Sequence, residues 1–193
     1  RKRDEYLELL RPEEDAFMES LKEITFNVQP YEFLKNYSEI IFEGSQGVLL
    51  DMDHGIFPNV TFANTTSKNA LEICHKIGEF NIEIFYVTRC YQTRHGFGWM
   101  SNNSSIELIN NEDEINVYNE WQKGFRTGEL DYDLLNYALE IDKIYSKELH
   151  KNLIITCLDQ RPNFDFDVSK LKTNFDHIIK SYSPESKSFK YYY

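Results

Sequence analysis

From Ser67 onward the hydrophobic period changes in an order that restricts the folds open to the chain. Ser67 to Ile77 sets Ala70, Leu71, Cys74 and Ile77 at helical spacing, and Ile82 to Tyr91 is β-branched and aromatic. Asp131 to Tyr145 returns to a helical stripe of Leu134, Leu135, Ala138, Leu139 and Ile141, and Leu153 to Thr156 is a short apolar run. Periods near 3.6 predict amphipathic helices, and short β-branched runs bounded by turn residues predict strands. Upstream, Leu7 to Lys22 and Tyr31 to Tyr37 read as helices, and Glu39 to Phe42 as a strand stopped by Gly44. Phe175 to Tyr182 reads as a fourth strand, and the polar stretch from Ser101 to Asn119 as a linker. Strands alternating with helices predict an α/β fold with a mostly parallel sheet and crossover helices.

In such sheets ligands bind beyond the carboxyl ends of the strands. The loops expected there are Gly44-Ser45-Gln46-Gly47, Thr93-Arg94-His95-Gly96, Cys157-Leu158-Asp159 and Ser183-Pro184. Gly and Asp are ordinary turn residues, so each loop alone says little; four at one edge of one sheet say more. Charge narrows the ligand class. With 21 basic against 32 acidic residues the net charge is −11, which argues against a nucleic-acid partner and against an anionic membrane surface. Cys74, Cys90 and Cys157 are widely spaced with no C-x-x-C pair, so neither a disulfide framework nor a zinc site is expected. No apolar run has the length of a membrane span and no signal-like core follows Arg1, so the expected location is the cytoplasm. At 193 residues one domain is the default, and a start at Arg1 instead of methionine raises the expectation of a fragment or processed product.

The densest motif is FEGSQGVLLDMDHGIFPNVTFANTT, Phe42 to Thr66. It resembles the adenylosuccinate synthetase pattern F-E-G-A-Q-G-x-x-L-D-x-D-H-G-x-x-P-x-V-T-x-x-N-T-T. Four further segments keep the family's order: YQTRHGFG (91–98), FRTGELDYDLLNYALEID (125–142), ITCLD (155–159) and SYSPES (181–186). The resemblance spans residues 39–186 and implies that the chain is the C-terminal half of a larger synthetase domain, related in fold to P-loop NTPases. It also implies the chemistry: a ligase joining aspartate to a 6-oxopurine nucleotide, IMP or dGMP, with GTP or ATP hydrolysis, using Mg²⁺ whose ligands are expected outside this chain, and possibly as a homodimer.

Residue by residue, the resemblance assigns Gln46 to the purine edge, where an amide with donor and acceptor atoms suits a lactam. It assigns Thr61, Arg94, His95, Gly96 and Arg126 to the same substrate nucleotide, hydroxyls and guanidinium forks being suited to phosphate or carboxylate oxygens. Thr156, Asp159, Ser181, Ser183 and Pro184 match the segments around the triphosphate's base, and a carboxylate at 159 can accept from both N1 and N2 of guanine. Thr65 and Thr66 read more simply as helix caps before Ser67, and His54 as a hydrogen-bonding turn residue. Departures are as plain: Cys157 stands where the pattern has lysine, Ser183 where it has glycine, Ser186 where it has arginine and Glu129 where it has tryptophan. Lys123 and Arg126 are the only cations of a segment that is arginine-rich in the family. Nothing resembles the family's W-G-D-E-G-K-G loop, so no catalytic residue is expected here. Two functions follow: part of a synthetase, or a nucleotide-binding remnant that regulates or scaffolds a partner.

Overall fold

The computed structural model describes residues 2–23, 28–78, 81–103, 106–109, 118, 120–121 and 123–192. The chain divides into two units, residues 1–38 and 39–193. In the first, helix α1 (Lys2–Glu23) carries Pro12 within it. The segment expected as a helix over 31–37 is a 3-10 helix, Tyr31–Asn36, entered from extended Pro30. The Phe33 and Tyr37 rings meet edge to face 5.7 Å apart.

The second unit holds α2 (Lys68–Ile77), α3 (Tyr132–Ser146) and six strands: β1 (Glu83–Arg89), β2 (Gln92–His95), β3 (Phe125–Gly128), β4 (His150–Thr156), β5 (His177–Ser181) and β6 (Phe189–Tyr192). One sheet has the order β1-β4-β5-β6, and β2 pairs with β3 in a second. β1, β4 and β5 run parallel, with Phe85 opposite Asn152 and Ile154 opposite Ile179, while β6 returns antiparallel to β5. The mostly parallel α/β sheet is therefore present. Helix α3 begins where the Asp131 carboxylate accepts from the N–H groups of Asp133 and Leu134. Helix α2 buries Leu71, Cys74 and Ile77, one side of the expected stripe, and ends at Gly78 with φ +74°. Cys90, Tyr91, Leu153, Ile155, Leu158 and Phe166 form the core, so the carboxyl ends of β1 and β4 are the best-anchored part of the sheet.

Three expectations change. Glu39 to Phe42 lies in no sheet; apolar content supplies strand propensity, but a strand also requires a neighbour for its backbone groups. The loop at Gly44–Gly47 thus does not follow a strand. The run from Ile82 to Tyr91 stops at Arg89, because the chain turns at Cys90 and Tyr91 and enters β2, which belongs to the other sheet. Thr93, Arg94 and His95 are consequently strand residues of an antiparallel pair and not a loop at the parallel sheet's edge. Much of the expected 101–119 linker, including 110–117, lies outside the described residues.

Candidate functional site

The segment after Gln46 is held by a buried acid. Asp51 Oδ1 accepts from the N–H groups of Asp53 and His54 at 2.8 and 3.1 Å, and Oδ2 accepts from Thr65 N at 2.6 Å. Burial pushes this carboxyl upward, and the N–H groups of Thr65, Asp53 and His54 more than reverse that, leaving it below the usual carboxylate value. A side chain at Gly55 would meet the carbonyl oxygens of Asp51 and Leu49 at 2.5 and 2.7 Å, so the turn closes only with glycine. Thr61 N donates to Leu50 O at 2.8 Å, doubling the segment back on itself. Helix α3 then clamps it: Tyr145 Oη lies 2.9 Å from His54 Nε2, and Tyr137 Oη donates to His54 O at 2.7 Å. His54 has the structural role expected of it. Of the expected caps, Thr66 Oγ1 reaches Lys68 N at 3.4 Å, whereas Thr65 Oγ1 donates to Gly47 O at 3.0 Å and fixes the residue after Gln46.

A second buried acid seats α2. Asp142 of α3 accepts from Ser67 N at 2.6 Å, Ser67 Oγ at 3.0 Å and Tyr86 Oη at 2.6 Å. The Tyr86 hydroxyl is held above its ordinary pKa by burial and by Asp142. It therefore remains a donor. Both acids have their oxygens filled by donors of the chain itself.

The arginines are arranged in the opposite way. Arg94 and Arg126 are direct cross-strand partners on β2 and β3, a placement that sets like charges against each other. Arg94 donates from Nε to Phe97 O at 3.3 Å and from Nη2 to Asn59 O at 3.1 Å. Arg126 donates from Nη2 to Gly98 O at 2.7 Å and from Nη1 to Asn103 Oδ1 at 3.1 Å. Gly98 has φ +115°, a conformation side chains rarely adopt, and a Cβ there would press on the Arg94 guanidinium. Among the described residues neither arginine pairs with a carboxylate, and Arg126 Nε is buried without a hydrogen-bond partner. Burial, then the neighbouring Arg126, lowers the Arg94 pKa. Backbone carbonyls orient these forks without neutralising them, an arrangement chemically suited to an anion.

Through Asn59, Arg94 is tied to the strip carrying Thr61. His95 packs against Phe125 with ring centroids 4.9 Å apart, and Gly96 N donates to Gly124 O at 2.8 Å. Gln46 is exposed. A cavity of about 40 Å³ behind Arg94, lined in part by Leu49, Ile56 and Trp99, holds about a water and not a nucleotide. A nucleotide here would lie on the open surface.

The second group of expected residues gathers elsewhere, at the carboxyl ends of β4 and β5. Asp159 follows β4 in a 3-10 turn entered through Cys157 at φ +60°. Among the described residues its Oδ2 accepts from Gln160 Nε2 alone, at 2.8 Å, where Asp51 and Asp142 each have three donors. Ser181 closes the adjacent β5 and donates to Ser183 O at 3.0 Å, while Ser183 Oγ accepts from Glu185 N at 3.2 Å. Pro184 is exposed. Thr156 Oγ1 is committed to Thr88 O at 3.2 Å, a bond between strands. Glu129 forms a two-point ion pair with Arg161, at 3.0 and 2.8 Å, joining the end of β3 to the turn after β4. The sequence reading singled out neither Arg161 nor Gly98, Asp51 or Asp142; for Asp51 the signal is its place within D-x-D-H-G.

Residues 7–166 match the family model for adenylosuccinate synthetase. The chain belongs to that family. Over 155 residues it is 30% identical to the adenylosuccinate synthetase of Wolbachia pipientis subsp. Culex pipiens, covering 78% of this chain and 34% of the relative. Over 192 residues it is 30% identical to that of Pseudomonas paraeruginosa, covering 91% and 40%. The chain thus spans between 34% and 40% of the length of these curated relatives. Among solved structures, the succinoaminodeoxyadenylate synthetase of cyanophage S-2L, bound to dGMP and to dATP as an energy donor, is 11% identical with a TM-score of 0.48, covering 91% of this chain and 59% of that one. No described helix is long and apolar enough to cross a membrane.

Proposed function

We propose that this chain is the substrate-binding part of a cytoplasmic adenylosuccinate-synthetase-type ligase that joins aspartate to a 6-oxopurine nucleotide, IMP or dGMP, with GTP or ATP hydrolysis. The observation that carries the reading is the Arg94–Arg126 pair, two adjacent guanidiniums without a carboxylate among the described residues, tied through Asn59 to the strip that presents Thr61. A monophosphate bound there accepts from the forks and from the Thr61 hydroxyl, and a carboxylate of aspartate competes for the same donors. Gln46, one residue before the pinned Gly47, is the residue proposed to read a lactam edge. Asp159, with one donor of its own, accepts from the paired N–H groups of guanine, which favours GTP over ATP.

The chain's part in the reaction is binding and orientation. Among the described residues no three His, Cys, Asp or Glu side chains converge as a metal site, and Asp51 and Asp142 are saturated by their own donors. In this reading the metal, the phosphate cradle and the chemical step are expected outside this chain.

Titration calorimetry with IMP tests the reading. Thr61→Val keeps volume and removes the hydroxyl, and the loss of a charge-assisted hydrogen bond weakens binding by about 1.5–3 kcal/mol. Equal affinity in the two proteins would remove Thr61 from the site.

A further inference from the structure

A singly exposed aromatic residue means little, and Trp121, 92% exposed, is an ordinary case. Trp99 differs, because its surroundings are fixed while its ring is half bare. On its N-terminal side Phe97 O accepts from Arg94 Nε at 3.3 Å and Gly98 O from Arg126 Nη2 at 2.7 Å. On its C-terminal side Met100 is buried, Ser101 Oγ accepts from Gln92 Nε2 at 2.9 Å, Asn102 Nδ2 donates to Glu129 O at 3.2 Å and Asn103 Oδ1 accepts from Arg126 Nη1 at 3.1 Å. Gly128 lets that stretch lie against β3, since a Cβ there would run into Asn102 O. The residues on both sides of Trp99 are thus tied down. Trp99 itself borders the small cavity behind Arg94 together with Leu49 and Ile56, which accounts for the covered part of the ring; 53% of the residue stays exposed. Among the described residues that ring has no aromatic or cationic partner.

An indole anchored on the loop that both guanidiniums grip offers two chemistries at one place, a π-face and an anion site. Inorganic phosphate or a free carboxylate uses only the second; an aromatic anion uses both. We propose that the exposed ring of Trp99 stacks against the purine of a nucleoside monophosphate whose phosphate sits on Arg94 and Arg126, so that Trp99 distinguishes a nucleotide from a plain sugar phosphate. The proposal rests on the functional reading given above. Leu49, which shares the cavity with Trp99, lies three residues after Gln46 and brings that segment to the indole. A base has an edge for hydrogen bonds and a face for stacking, and here an amide and a ring on neighbouring segments divide the two.

The chain has two tryptophans, so Trp121→Phe leaves Trp99 as its single indole. The full 193-residue protein with that change is titrated with IMP while heat and indole fluorescence are read in parallel. The expected result is an emission change that saturates together with the heat, and none with ribose 5-phosphate, which has the phosphate and no base. Trp99→Leu is expected to weaken IMP by about tenfold or more, as loss of a base–aromatic stack does, and Trp99→Phe to lose less. Ribose 5-phosphate is expected to bind both variants as it binds wild type. Two results would overturn the proposal and leave the functional reading standing. One is IMP heat with unchanged emission; the other is a Trp99→Leu protein that loses ribose 5-phosphate affinity as steeply as IMP affinity, which would make Trp99 a prop for the arginine loop. Absence of any IMP heat would remove the functional reading, and this inference with it.

Discussion

Asp51 and Asp142 on one side, and Arg94 and Arg126 on the other, are charged groups of the same unit treated in opposite ways. Each acid accepts three hydrogen bonds from the chain's own N–H and O–H groups. The arginines face each other across two strands, oriented by the carbonyls of Asn59, Phe97 and Gly98. A buried charge whose partners are all internal is finished when the chain folds; one oriented but left unneutralised is finished by a ligand. The acids are therefore structural, and the arginines are the pair for which a ligand-binding role is proposed. Residue type alone does not reveal this, since carboxylates are as common in active sites as guanidiniums.

Substitutions break the comparison at different strengths. Asp142→Ala strands Ser67 N, Ser67 Oγ and Tyr86 Oη at the α2–α3 contact, and denaturant unfolding is expected to show a loss of about 3–5 kcal/mol. Asp51→Asn keeps one acceptor oxygen and sets an amide N–H₂ against donors, for an expected loss near 2 kcal/mol at pH 7. Its pH dependence is the sharper signal. The folded-state pKa of Asp51 is depressed, so its stabilisation is complete above the unfolded value of about 3.9 and disappears as pH falls through the folded value. The gap between wild type and Asp51→Asn is predicted to narrow below about pH 4; a gap constant with pH would make the carboxylate's charge irrelevant. Asp159→Asn is expected to change stability by less than about 0.5 kcal/mol, because the side chain has one donor and is partly exposed. It is predicted to shift base preference from guanine toward xanthine in competition binding. An unaltered preference would class Asp159 with the structural acids.

Helices α1, α2 and α3 and strands β1, β4 and β5 were legible because each carries its own period of apolar residues. β2 and β3 were not: Gln-Thr-Arg-His and Phe-Arg-Thr-Gly lack strand alternation and become strands through each other, far apart in the chain. β6 likewise exists by pairing with β5. Glu39 to Phe42 is the converse case, strand composition without a neighbour. In the site, Arg94, Arg126 and Thr61 were legible as types suited to phosphate, and the structure adds that Arg94 and Arg126 are adjacent. The roles of Asp51 and Asp142 were hidden because several of their donors are backbone N–H groups or hydroxyls distant in sequence. Thr156, matched to the base-binding segment by resemblance, also donates from Oγ1 to Thr88 O on the neighbouring strand.

If the arginine pair is a ligand site and not a structural feature, Arg126→Gln separates binding from stability. The substitution removes two hydrogen bonds, to Gly98 O and Asn103 Oδ1, while relieving repulsion with Arg94, so unfolding free energy is expected to stay within about 1 kcal/mol of wild type. IMP titrated calorimetrically into the same protein is predicted to bind at least tenfold more weakly. A protein that loses several kcal/mol of stability as Asp142→Ala does, yet binds IMP as wild type does, would make the pair a structural feature.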